Sequence, residues 1–202
     1  MKQKSDAKRR AILQAAFDVI SEKGYYETKM EDVAHRAGVA KGTIYLYFRD
    51  KPDLYVGIVE WLLDQAVKVL REIAARPITA RAQLEAVFDA WAGGVLSRPA
   101  IIALLSSENM QQATDLIPRF RRDILPRLLT MLREVGRIIK RGISRREFRR
   151  VNPELAALTF MNAFRAAMFA IGNRLRISDP CRAVKKIFFS GILAERRTKT
   201  GS

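Results

Sequence analysis

Apolar residues return every three or four positions over most of this 202-residue chain, with polar residues filling the other side. That spacing predicts helices. Ile12, Leu13, Ala16, Phe17 and Ile20 form a stripe on a helix from about Asp6 to Lys23, with Ser5 as cap and Gly24 as stop. Thr28 and Glu31 have capping-box spacing, so a second helix is expected to start at Thr28. Its Met30, Val33, Ala34 and Ala37 fall at i, i+3, i+4 and i+7. Gly38 stands where the chain must turn sharply, and Val39 and Ile44 re-enter the core beyond it. A short third helix, about Ala40 to Tyr47, follows. Pro52 suits the first turn of a fourth, whose Leu54, Ile58, Trp61, Leu62, Val69 and Ile73 keep one apolar face.

The second half continues in the same way. Thr79 can cap a helix running to about Ser97, with Leu84, Val87, Phe88, Trp91 and Val95 on one side. Pro99 opens another, with Ile102, Leu105 and Met110. Pro118 and Pro126 flank the start of a longer helix carrying Leu128, Leu129, Leu132, Val135 and Ile139, and Pro126 is expected to mark a kink. Gly142 to Asn152 reads as an arginine-rich loop. Asn152-Pro153-Glu154 restarts a helix that is apolar nearly all round and rich in alanine, which lets another helix approach closely. Ser178-Asp179-Pro180 caps a last one, with Val184, Ile187, Phe188, Gly191 and Ile192 on one face. No strand pair or internal repeat is visible, so the fold class is all-α with about nine helices.

Composition narrows the chemistry. A single cysteine, Cys181, rules out an internal disulfide framework and fits a reducing cytoplasm. No N-terminal apolar segment suggests a signal peptide. Leu155 to Ile171 is shorter than the roughly 20 residues of a membrane span and contains Arg165, so a buried helix is expected and no membrane partner. The lone histidine, His35, leaves no metal site and little acid–base chemistry, and no catalytic set or cofactor is expected. A formal charge of +16 favours a polyanion partner. The excess is spread unevenly: residues 1–50 hold ten Lys/Arg against seven Asp/Glu, and the densest cluster is Arg137 to Arg150.

The run Ala37-Gly38-Val39-Ala40-Lys41-Gly42-Thr43-Ile44-Tyr45-Leu46-Tyr47-Phe48, followed by Lys51 and Leu54, closely resembles the DNA-binding domain of TetR-family transcriptional regulators. The resemblance covers about the first third of the chain. It implies a three-helix DNA-binding domain at residues 6–66, with the helix-turn-helix at 29–48, and a helical effector-binding and dimerisation domain at 67–197. In a helix-turn-helix the second helix enters the major groove. Lys41 can then bond guanine O6 or N7, Gly42 lets the backbone approach a base, and Thr43 can reach a base or a phosphate. Tyr45 can pack on a thymine methyl, Tyr47 can bond a phosphate, and Lys51 and Thr28 can contact the backbone. Ala40 and Leu46 depart from the family pattern, which often has hydroxyl and polar residues there. Alone, each candidate reads better as a surface lysine, a turn glycine, a cap threonine or a half-buried tyrosine; their order carries the DNA reading.

The resemblance also implies a homodimer on a palindromic double-stranded operator. The apolar faces of the last two helices supply candidate interface residues: Ala163, Ala167, Val184, Ile187, Phe188 and Ile192. A small-molecule pocket is implied in the middle of the chain, with Trp61, Gln65, Phe88, Trp91, Leu105, Met110, Phe120, Met131, Met161, Phe164 and Met168 as candidates. Its effector would be apolar, and acidic if the arginine cluster serves it. The leading reading is a cytoplasmic repressor released from its operator by a lipophilic effector. A DNA binder with a filled core and no effector is the alternative, and an enzyme or membrane-surface protein is a third class.

Overall fold

The computed structural model describes residues 2–96 and 120–193. Among them lie eight α-helices: α1 Lys2–Lys23, α2 Met30–Arg36, α3 Lys41–Tyr45, α4 Lys51–Ala74, α5 Ala80–Leu96, α6 Leu125–Ser144, α7 Pro153–Gly172 and α8 Pro180–Ile192. A π-type turn, Phe120–Ile124, leads into α6, and one isolated antiparallel bridge joins Phe148 and Leu193. The helix expected around Ile102, Leu105 and Met110 lies outside the described residues.

The chain divides into two compact units, residues 1–66 with 95–128, and residues 67–94 with 129–202. Thus α4 belongs to the first unit through Ala66 and to the second from Val67. In the first unit, Ile12, Leu13, Ala16, Phe17 and Ile20 of α1 meet Met30, Val33 and Ala34 of α2, Ile44 and Phe48 around α3, and Leu54 and Ile58 of α4. All are buried, so the apolar periodicity of the first four helices converges on one core.

The second unit buries Leu70 and Ile73 of α4, Leu84, Val87, Phe88 and Trp91 of α5, and Val135, Ile138 and Ile139 of α6. Ala157, Phe160 and Ala167 of α7 and Phe188, Phe189 and Ile192 of α8 are buried in it as well. Aromatic rings lock edge to face: Phe88 and Phe164 at 5.4 Å, Trp91 and Phe164 at 5.6 Å, Phe160 and Phe188 at 5.3 Å. By length and composition α7 is apolar enough to cross a membrane, because it begins at Pro153 and reaches 20 residues. The helix expected to be buried there is only partly so: Ala157, Phe160 and Ala167 are core residues, while Leu155, Leu158 and Phe169 are exposed, because only one side of α7 packs inside its unit.

Helix ends differ from expectation in instructive places. α2 starts at Met30, not Thr28: the Lys29 main-chain N–H donates to Asp32 Oδ2 at 3.2 Å, one residue later than the Thr28–Glu31 box. The Thr28 hydroxyl instead donates to the Gly24 carbonyl at 2.7 Å. At the other end of the chain the caps fall where the residues suggest. Asn152 Oδ1 accepts from Glu154 N and Leu155 N, and Asp179 Oδ1 accepts from Arg182 N. Pro126 sits in the first turn of α6, directly after the π-type turn, so the irregularity precedes the helix instead of bending it.

The loop expected from Gly142 to Asn152 begins at Arg145, three residues late, and runs to the cap of α7. α6 continues to Ser144, and Arg141 donates to the Ala74 carbonyl and to Gln83 Oε1, both at 3.2 Å. Gln83 is 4% exposed, and its amide donates to the Ala74 and Arg76 carbonyls. Orphan carbonyls at the end of α4 are thereby satisfied.

Candidate nucleic-acid interface

Two short helices and the turn between them build the interface. Gly38 takes φ +63°, a conformation that costs a side-chain-bearing residue. The turn closes as Val39 N–H donates to the Ala34 carbonyl at 3.0 Å. Ile44 is fully buried and Phe48 nearly so, which seats α3 in the core by one side. The opposite side carries Lys41, Gly42, Tyr45 and Leu46, all exposed, with Thr43 and Tyr47 half-buried. Leu46, at 83% exposure, is the most open large apolar residue of the motif.

Four cations on or beside this surface have definite partners. Lys41 Nζ is in ion-pair contact with Glu31 of α2. That bond holds the Glu31 carboxyl below its ordinary range and raises the Lys41 ammonium. Arg36 grips Glu22 with two bonds, at 2.9 and 2.6 Å, and Lys23 pairs with Asp32 at 3.2 Å, so α1 and α2 are stapled by charge as well as by core. Lys51 Nζ donates to the Tyr26 carbonyl at 2.9 Å and stands 4.5 Å from the centre of the Tyr25 ring. Partial burial lowers its pKa, an effect the nearby Glu27 charge opposes. At the start of α4, Asp50 Oδ1 accepts from Asp53 N at 2.7 Å and Asp53 Oδ2 from Arg49 N at 2.9 Å. The Asp50–Asp53 spacing was a readable cap signal; Glu31 as the partner of Lys41 was not, because the pair forms across the turn.

Six of the seven candidates for DNA contact, all but Thr28, reach the open side or its margin. Thr28 does not: it is 3% exposed and its hydroxyl is committed to Gly24, so it braces the turn before α2.

The other candidate residues distribute differently. Trp61 packs on Phe17 at 5.6 Å in the first unit, and Gln65 is exposed. Phe88, Trp91, Met131 and Met168 are buried in the second unit, with Phe164 and Met161 half-buried. Leu105, Met110 and the Phe120 side chain lie outside the described residues. A groove of about 640 Å³ is lined by Pro77, Ile78, Thr79, Ala82, Arg145 and Glu147, none of them a predicted pocket residue. Among the interface candidates, Ala167, Phe188 and Ile192 are core residues, because Phe188 stacks on Phe160 and Phe189 inside the unit. Ile187 is 74% exposed; Ala163 and Val184 are half-buried.

A buried-backed short helix that presents a lysine, a glycine and aromatics beyond a tight glycine turn defines a helix-turn-helix nucleic-acid-binding module. The family profile described as "Bacterial regulatory proteins, tetR family" matches residues 12–58. Residues 12–58 of this chain thus match the helix-turn-helix domain of TetR-family regulators, and the chain as a whole is similar in fold to solved members of that family. It is 37% identical over 89 residues to the fatty acid metabolism regulator protein of Bacillus subtilis, a match covering 44% of this chain and 45% of that protein. It is 36% identical over 89 residues to the transcriptional activator FasR of Mycolicibacterium smegmatis, covering 42% of this chain and 40% of FasR. The chain thus matches less than half the length of these relatives. The crystal structure of the transcriptional regulator FadR from Bacillus subtilis in complex with stearoyl-CoA is similar along 90% of this chain and 98% of its own, with a TM-score of 0.62 and 25% identity.

Proposed function

We propose that this protein is a cytoplasmic, sequence-specific DNA-binding regulator that binds a palindromic operator as a two-fold homodimer and performs no catalysis. The observation that carries this reading is the two-sidedness of α3. Ile44 and Phe48 fasten it while Lys41, Gly42 and Tyr45 remain open. Lys41 would read guanine, Tyr45 a thymine methyl, and Thr43, Tyr47 and Lys51 would position the duplex through its phosphates. Lys51 keeps further N–H groups for this after bonding the Tyr26 carbonyl. The reading domain would be residues 6–66, and residues 67–197 would serve effector binding and dimerisation. Exposed Leu155, Leu158, Phe169 and Ile187 on α7 and α8 support an apolar surface for the second copy.

An acyl-CoA is the effector class that the relatives favour, with repression relieved on binding. A gel shift on the protein's own promoter fragment tests both parts. The duplex should be retarded, and stearoyl-CoA should release it. Retardation that no apolar acyl-CoA relieves would favour the second reading, a regulator without an effector. The interlocked rings of Phe88, Trp91, Phe160 and Phe164 speak for that reading, because they fill their surroundings. Absence of any retardation at low salt would overturn the DNA-binding reading itself.

A further inference from the structure

Glu31 is the second residue of α2 and Lys41 the first of α3, and their charged ends meet at the open edge of the helix-turn-helix. Both side chains are more than half exposed, at 52% and 59%. The helices do not need this pair to stay together: Val33, Ala34 and Ile44 are buried beneath it. An exposed ion pair adds little stability. What it does add is a donor and an acceptor held side by side where a groove would lie.

The major-groove edge of a G·C pair presents, in order, the guanine N7 and O6 acceptors and the cytosine N4 donor. Guanine O6 and cytosine N4 are hydrogen-bonded to each other, hence about 2.9 Å apart. A lysine–carboxylate pair has nearly that separation between its nitrogen and oxygen. With Nζ seated over N7 and O6, the carboxylate falls on N4. An A·T pair puts thymine O4 at that third place, and two acceptors then face each other.

We propose that Glu31 is a base-reading residue, its carboxylate accepting from the N4 amino group of the cytosine paired with the guanine that Lys41 contacts. This rests on the DNA-binding reading above. Glu31 therefore rewards one base pair and penalises its replacement, which is specificity through repulsion as well as attraction. Away from such a site it neutralises Lys41 and weakens non-specific binding.

The experiment is selection from a random duplex library by the full chain, by Lys41→Ala and by Glu31→Ala, followed by titration of the selected duplex and its single-base-pair variants. The wild type should enrich one G·C pair per half-site and lose about tenfold in affinity when it becomes A·T. In Glu31→Ala that penalty should shrink to about twofold, at the same base pair where Lys41→Ala loses preference, and binding to an unselected duplex should tighten about threefold. Unchanged discrimination in Glu31→Ala, or a loss at a position that Lys41→Ala still reads, overturns the assignment. If the wild type itself enriches nothing, the DNA-binding reading falls first and this one with it.

Discussion

Gly142 lies against the ring of Phe148: a β-carbon on Gly142 would stand 2.3 Å from Phe148 Cδ2 and 2.9 Å from the Ala80 β-carbon. Phe148 is 2% exposed and its neighbour Arg149 bonds the Ile192 carbonyl through its N–H, so the ring has nowhere to go. Gly142→Ala is expected to cost about 1–3 kcal/mol through overpacking, read as a lower midpoint in urea. An unchanged midpoint would mean that the ring is free to swing.

Gln83 gathers three chain segments, taking the Ala74 and Arg76 carbonyls with its amide nitrogen and the Arg141 guanidinium with its oxygen. Gln83→Leu keeps the volume and strands those groups. A loss of about 1–3 kcal/mol is expected from thermal unfolding, as for any buried polar group left unmade. Arg141→Lys should keep only part of the wild-type contact, since one terminal guanidinium nitrogen serves both acceptors and a shorter, more strongly hydrated ammonium must be drawn in to replace it.

Lys41 and Lys51 should separate cleanly in binding experiments. Lys41→Ala is expected to cost about 1–3 kcal/mol of specific affinity and to relax base preference. Lys51→Ala should weaken all sequences alike and lower the salt slope by about 0.9. It should also lower the melting temperature, because the bond to the Tyr26 carbonyl goes with it. Equal loss of discrimination in both variants would refute the division.

Acid should loosen the charged contacts that α2 makes with α1 and α3. Arg36 holds Glu22 below the ordinary carboxylate range, Lys41 does the same for Glu31, and the Lys29 N–H, then Lys23, for Asp32. A carboxylate lowered by folding contributes its stability above the unfolded value and loses it as pH falls through the folded one. Melting temperature should therefore decline below about pH 4, and Glu22→Gln should flatten part of that decline. Glu60 runs the other way: burial raises it, against Arg127 and Arg9, so its contribution is present at low pH and lost as pH rises through the raised value. A melting curve that is flat from pH 3 to pH 7, a window spanning the ordinary carboxylate values, would refute this account.

Phe188 and Ile187 are neighbours with opposite expected behaviour. Phe188 is 5% exposed and stacks on Phe160, so Phe188→Asp should unfold the second unit, costing more than about 4 kcal/mol. Ile187 is 74% exposed, so Ile187→Asp should leave monomer stability within about 0.5 kcal/mol. At the same time it should weaken the proposed dimer roughly tenfold in sedimentation. Dimers that persist in Ile187→Asp would place the interface elsewhere.

Much of the fold was legible in the sequence, for reasons that particular residues show. Asn152-Pro153 and Asp179-Pro180 announce helix starts because the capping bond reaches only two or three residues ahead. Gly38 announces a turn because its backbone angle suits no other residue well. The motif from Ala37 to Phe48 was equally plain. The cap of α2 was misplaced by one residue, since Thr28–Glu31 and Lys29–Asp32 have the same spacing and only packing chose between them. The candidate interface between copies was harder still: Phe188, Ile192 and Ile187 share a face by periodicity, and only the ring of Phe160 assigns the first to the core.

By itself, then, the sequence determined the helices found among the described residues, their order and the reading motif, because caps, turns and apolar periods act over a few residues. Only the tertiary structure decided where the polar groups are spent: Lys41 on Glu31, Lys51 on the Tyr26 carbonyl, Arg141 on Gln83 and the Ala74 carbonyl. Those partners stand 10 to 67 residues apart in the chain. No local pattern encodes a pairing at such separation; it exists once buried apolar faces have brought the segments together, and the charges then take whatever partner lies within reach.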